Sequence, residues 1–92
     1  MVPHPGVMLL RMMNERRLSR HGVARGMSVP VMRVSELCSG QRSITANSAI
    51  RLGCYFGTTA EYWMGLQSVY DLDRVRKDFV SEIVPYQYEK IH

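Results

Sequence analysis

An all-α domain of five short helices, followed by a short extended C-terminal tail, is the fold class that this sequence predicts. Three observations predict it. Helix start and stop signals recur at short intervals from His4 to Glu61. Apolar residues in the second half repeat at helical spacing, as Trp63, Leu66, Tyr70 and again as Leu72, Val75, Phe79. A small residue, Ala24, stands among apolar residues at the offsets that two closely crossing helices require.

The first helix is expected over about residues 6–16, opened by His4-Pro5-Gly6, with Pro5 near its first turn. Ser19 is a good N-cap for a second helix ending near Gly26. Pro30 suits the first position of a third helix running to Ser39, and Gly40 supplies the left-handed residue that ends it. Thr45 caps a fourth helix through about Tyr55, which Gly57 stops. Thr58-Thr59-Ala60-Glu61 reads as a capping box that opens a longer fifth helix to about Phe79. Beyond it, Val80, Ile83, Val84, Pro85, Tyr86 and Tyr88 suggest an extended tail with room for one edge strand. The expected organisation is therefore one domain, residues 1–79, and a tail, residues 80–92.

Charge is unevenly spread over the 92 residues. Residues 1–57 carry eight arginines and no lysine against Glu15 and Glu36, a net of +6. Residues 58–92 carry four basic residues against six acids, a net of −2. Arginine binds phosphates and base edges through a planar fork of donors, so a basic half with an acidic remainder points toward nucleic acid.

The segment Arg20 to Leu37 gives that charge a geometry. Ala24 permits a close crossing of the second and third helices, and Val23, Met27, Val29, Val34 and Leu37 fill the wedge between them. Val31, Met32, Arg33, Ser35 and Glu36 are left on the outer face of the third helix, which in a helix-turn-helix enters the major groove. Any helical hairpin has apolar inner faces. The polar and basic groups of Leu18-Ser19 and Ser39-Gly40-Gln41-Arg42 beside this pair are what favour DNA.

Other chemistry finds little support. His4, His21 and His92 are scattered, no His-Glu-x-x-His or Cys-x-x-Cys occurs, and no metal or cofactor is expected. Ser19 and Ser35 lack a plausible set of catalytic partners, so no enzyme activity is expected. Cys38 and Cys54 read as small buried apolar residues. The apolar stretch Val7–Leu10 is too short to span a membrane and no signal peptide is evident, so a cytoplasmic protein is expected.

His4-Pro5-Gly6, Leu18-Ser19, the run Ser39-Gly40-Gln41-Arg42-Ser43-Ile44-Thr45 and Ala49-Ile50-Arg51-Leu52 also resemble a known family. So do Tyr55-Phe56-Gly57-Thr58-Thr59, Glu61-Tyr62-Trp63 and Leu66-Gln67-Ser68-Val69-Tyr70-Asp71-Leu72. Together they are similar to the HigA antitoxins of bacterial type II toxin–antitoxin systems, within the Xre/Cro-like (lambda-repressor-like) helix-turn-helix class. The resemblance spans about residues 4–76 without a gap. It implies a protein that binds and neutralises a ribonuclease toxin of the RelE/HigB type. It also implies a homodimer that represses its own operon at a palindromic operator. By position, Arg20 opens the second helix, Val31, Met32, Arg33, Ser35 and Glu36 form the recognition face, and Gln41, Arg42 and Ser43 lie in a phosphate-contacting loop. A regulator of the same fold without a toxin partner is the alternative.

Several positions depart from the family pattern. Ser28 stands where the tight turn usually has Gly, and must turn left-handed or reshape the turn. Arg17 replaces a usual Gly, while Gly22 and Gly26 weaken the second helix. Val7 and Met12 stand where acids are common, and are expected on a solvent face as a toxin contact unless local packing covers them. Trp63, Leu66 and Tyr70 are expected to be buried in a dimer interface or in the adjoining core.

Overall fold

The computed structural model describes residues 1–79 and 83–86. Five helices follow one another: α1 Pro5–Glu15, α2 Arg20–Met27, α3 Val31–Ser39, α4 Ala46–Phe56 and α5 Ala60–Phe79. The all-α class and the helix-turn-helix order are those the sequence predicts. Residues 83–86 form neither helix nor strand. The remainder of the expected tail, 80–82 and 87–92, lies outside the described residues.

The helices start and stop where local chemistry satisfies their ends. His4 caps α1 through its ring, Nδ1 accepting from the Gly6 N–H at 2.9 Å, with Pro5 behind it at the first helical position. Ser19 Oγ accepts from the Gly22 N–H at 3.0 Å, and Thr45 caps α4 through the Ser48 N–H. Pro30 sits one place earlier than expected. It is the extended N-cap of α3 (ψ 146°), and the helix begins at Val31. Gly40 (φ 81°) and Gly57 (φ 76°) end α3 and α4 in the left-handed region.

The start of α5 corrects the expected capping box. Thr59, not Thr58, is the cap, its Oγ1 accepting from the Tyr62 N–H at 3.0 Å. Thr58 is still tied to the end of α4 by its N–H to the Gly53 carbonyl, and its hydroxyl instead accepts from Trp63 Nε1 at 2.8 Å.

The core draws on every helix: Leu9 and Met13, Val23, Ala24 and Met27, Val34, Leu37 and Cys38, Ala49 and Leu52, Trp63, with Ile44 from the α3–α4 loop. The Ala24 crossing and its apolar offsets are thus realised, with Val29 partly buried at their edge. Cys54 is exposed, contrary to expectation, because it follows Leu52 by two residues and points off the buried face of α4. Met12 is likewise not a solvent residue: it is half-buried and packed against the core, whereas Val7 is exposed. Buried Gln67 joins two elements, its Oε1 accepting from the Ile44 N–H at 2.7 Å and its Nε2 donating to Asp71 at 2.9 Å.

The turn before α3 takes the left-handed option. Ser28 has φ 57° and ψ 49°, and Arg17 has φ 55°. Each costs about 1–2 kcal/mol relative to glycine. At Ser28 the cost is offset by Arg51, whose Nη1 donates to the carbonyls of Met27 at 2.8 Å and Ser28 at 3.3 Å.

Two glycines are required by close approach. A Cβ at Gly6 would overlap the Leu37 carbonyl oxygen and lie 3.0 Å from that of Cys38, both fixed backbone atoms at the end of α3. A Cβ at Gly26 would overlap the Tyr55 ring of α4. Gly6→Ala is therefore expected to destabilise the protein by about 2–3 kcal/mol, despite the better helix propensity of alanine. A urea unfolding midpoint unchanged from wild type would show that α1 is not held against α3 in this way.

His4 carries a second prediction. Burial holds its imidazole below the ordinary 6.5, with the hydrogen bond to the Arg42 backbone and the charge of Asp71 pulling upward and Arg74 adding to the fall. The unfolded chain therefore binds the proton more readily than the folded one. The stability given by neutral His4 is fully present above pH 6.5 and is lost as pH falls through the lower folded value. His4→Asn keeps a capping side chain but cannot titrate. Thermal melts between about pH 7.5 and 5 are expected to lose more stability on acidification in wild type than in His4→Asn. Parallel curves would remove His4 from the acid response.

Candidate nucleic-acid interface

Helices α2 and α3, joined through Ser28–Pro30, place the outer side of α3 at the surface. The face is narrower than the sequence suggested. Met32 is prominent at 62% exposure, and Ser35 and Glu36 are half-exposed beside it. Val31 is half-buried and packed against the core, because at the first position of α3 it shares the inner side with Val34 and Cys38.

Three of the expected contacts, Arg33, Glu36 and Arg42, are engaged within the chain. Arg42 donates from Nε at 2.9 Å and from Nη2 at 2.6 Å to the same oxygen of Glu36. This is the one ion pair among the described residues. Gln41 and Ser43 on either side of Arg42 are exposed, and the Gln41 N–H closes the end of α3 on the Glu36 carbonyl at 2.9 Å. Arg33 turns toward α4, where its Nη1 donates to Asn47 Oδ1 at 2.7 Å.

Asn47 was not singled out from the sequence. Its Oδ1 also accepts from Arg51 Nε at 2.9 Å, so one amide oxygen holds two guanidinium groups that have no carboxylate partner among the described residues. The available signal was the i, i+4 spacing of Asn47 and Arg51, which puts both on the side of α4 that meets the helix-turn-helix. Arg20 at the start of α2 is exposed. Its guanidinium approaches the Cys38 thiol and partly opposes the upward push that burial gives that group. Arg11, Arg17 and Arg25 add exposed positive charge on α1, the α1–α2 turn and α2.

The three residues expected in a dimer interface or the adjoining core all pack on their own chain. Trp63 is fully buried in the core, Leu66 is half-buried against it, and the Tyr70 ring stands edge-on to His4 at 5.0 Å. Among the described residues, the apolar side chains that α5 leaves most open are a different set, Val69, Leu72, Val75 and Phe79, each about half-exposed. No helix among the described residues is long and apolar enough to cross a membrane.

No family model matches the chain. Relatives and solved structures do. Virulence-associated protein I of Dichelobacter nodosus is 38% identical over 85 residues, covering 89% of this chain and 79% of its own length. A HigA-family addiction module antidote protein from Coxiella burnetii superimposes with a TM-score of 0.82 at 37% identity, covering 92% of this chain and 98% of that one. The Pseudomonas aeruginosa antitoxin HigA, solved with the higBA promoter, superimposes with a TM-score of 0.84 at 35% identity, covering 95% and 100%. Identity of this order over the whole length, on the same five helices, shows that the chain belongs to the HigA family of helix-turn-helix antitoxins, a family that is not enzymatic.

Proposed function

We propose that this protein is an antitoxin that binds a palindromic operator as a homodimer, represses its own operon, and neutralises a RelE/HigB-like ribonuclease toxin. The observation that carries the reading is the α3 face of exposed Met32 and partly exposed Ser35 and Glu36, flanked by arginines without carboxylate partners among the described residues, on the fold of a promoter-bound relative. In this reading α3 reads base edges, while Arg20 and Arg33 hold backbone phosphates and Gln41 and Ser43 add neutral donors. The open apolar stripe of α5 is the dimer contact, bringing two α3 helices to successive turns of the groove.

Arg42 is already neutralised by Glu36, so each subunit brings two phosphate-facing arginines without a carboxylate partner among the described residues, Arg20 and Arg33, the latter exchanging Asn47 for a phosphate. The logarithm of affinity for a duplex from the protein's own promoter should fall with log salt at a slope of about −4 per dimer. A third free arginine per subunit would give about −5. In the same assay Val69→Glu/Leu72→Glu should yield a monomer by light scattering and weaken binding at least about tenfold. A variant that stayed dimeric would place the dimer contact elsewhere.

Toxin binding is supported by family membership and by Val7, an apolar residue exposed on α1. Met12 no longer serves as a clean probe, since a charge there would strike the core. The protein should co-purify with the small basic ribonuclease-like product of an adjacent gene. Val7→Glu should loosen that complex about tenfold while leaving operator affinity unchanged. Absence of any such complex would leave a regulator without a toxin. Unchanged toxin affinity in the variant would move the contact off α1.

A further inference from the structure

A carboxylate on a DNA-facing helix is repelled by the phosphate backbone unless it is both neutralised and given a donor to accept from. Glu36 is one of two acids among the first 57 residues, and it stands on α3 beside Met32 and Ser35. Arg42 neutralises it, but asymmetrically. Nε and Nη2 both bond Oε1, at 2.9 and 2.6 Å, and no described donor reaches Oε2. The Glu36 side chain remains 29% exposed, so its second oxygen retains its acceptor capacity at the surface.

Two amino donors are offered in the major groove, N4 of cytosine and N6 of adenine. Adenine places the N7 acceptor beside its amino group, which opposes a carboxylate. Cytosine does not. We propose that Glu36 reads the N4 amino group of a cytosine in each half-site, and that Arg42 is its positioning residue rather than a phosphate contact. Arg42 fixes the carboxylate by holding one oxygen with two donors, and its charge offsets the repulsion that the approaching phosphates exert. The proposal rests on the operator-binding reading above.

The test is a selection by the full-length protein from duplexes carrying randomised half-sites, followed by sequencing of the bound fraction. Wild type is expected to show one position per half-site with about tenfold preference for cytosine. Glu36→Gln should move that position alone to adenine, since an amide pairs with N6 and N7 together. Arg42→Ala should keep cytosine at that position but lower its preference to about two- or threefold, with the other positions unchanged. Arg42→Lys should restore it in part. A Glu36→Gln motif identical to wild type would overturn the proposal. So would an Arg42→Ala variant that loses affinity equally for every sequence and keeps its motif, the behaviour of a phosphate contact. A wild-type chain that enriches no motif would instead overturn the operator-binding reading on which the proposal stands.

Discussion

The arrangement of the helix-turn-helix half depends on how closely α1 can approach the end of α3. Gly6 lies against the carbonyls of Leu37 and Cys38, a separation that no side chain at position 6 would permit. Because α1 starts there, Leu9 and Met13 reach the core from one side of α3 while Val23 and Met27 reach it from α2. Held from both sides, α3 has one orientation available to it, and its outer face follows. His4 extends the same joint: its ring caps α1, lies near Gly40 after α3, and meets Tyr70 of α5. Three elements distant in sequence thus converge on the first few residues of the chain.

Much of this was legible because it is local. Ser19, Thr45, Gly40 and Gly57 act within a few residues of their own positions, so their types suffice to place helix ends. Ala24 and its apolar neighbours were legible for a related reason, since two helices joined by a short turn have few ways to cross. What was misread or left open has a different origin. Thr58 and Thr59 both satisfy the pattern of a cap, and what separates them is Trp63, whose indole N–H takes one hydroxyl. Nor did periodicity tell which stripe of α5 faces its own chain. Trp63, Leu66 and Tyr70 lie inward because α4 and His4 meet them, while Val69 and Leu72 have the same spacing and stay about half-exposed among the described residues.

Of the polar network between α3 and α4, only the i, i+4 pair of Asn47 and Arg51 had a pattern to show it. Arg33 reaches Asn47, and Arg51 the turn carbonyls, because the left-handed turn at Ser28 brings α2 and α3 under the first turns of α4. That turn gains from the arrangement in return, since Arg51 bonds the two carbonyls that its unusual conformation leaves facing outward. The departure from glycine at position 28 and the arginine at position 51 are therefore one feature divided between two parts of the sequence. An arginine of the basic half is thereby withdrawn in large part from ligand binding into support of the fold, which a count of charges would not reveal.

The bond from Trp63 to Thr58 also gives the molecule an optical handle. Trp63 is the single tryptophan of the chain, wholly enclosed, with its indole N–H on a hydroxyl and the rings of Phe56 and Tyr62 within 6.2 and 5.3 Å. A fluorophore so shielded emits toward the blue and shifts red once water reaches it. It belongs to the α4–α5 layer and is absent from the α3 surface, so its colour follows the integrity of the core rather than occupancy of the outer face of α3. A change in emission during a DNA titration would therefore report rearrangement inside the protein, while constant emission would mark docking of a preformed body.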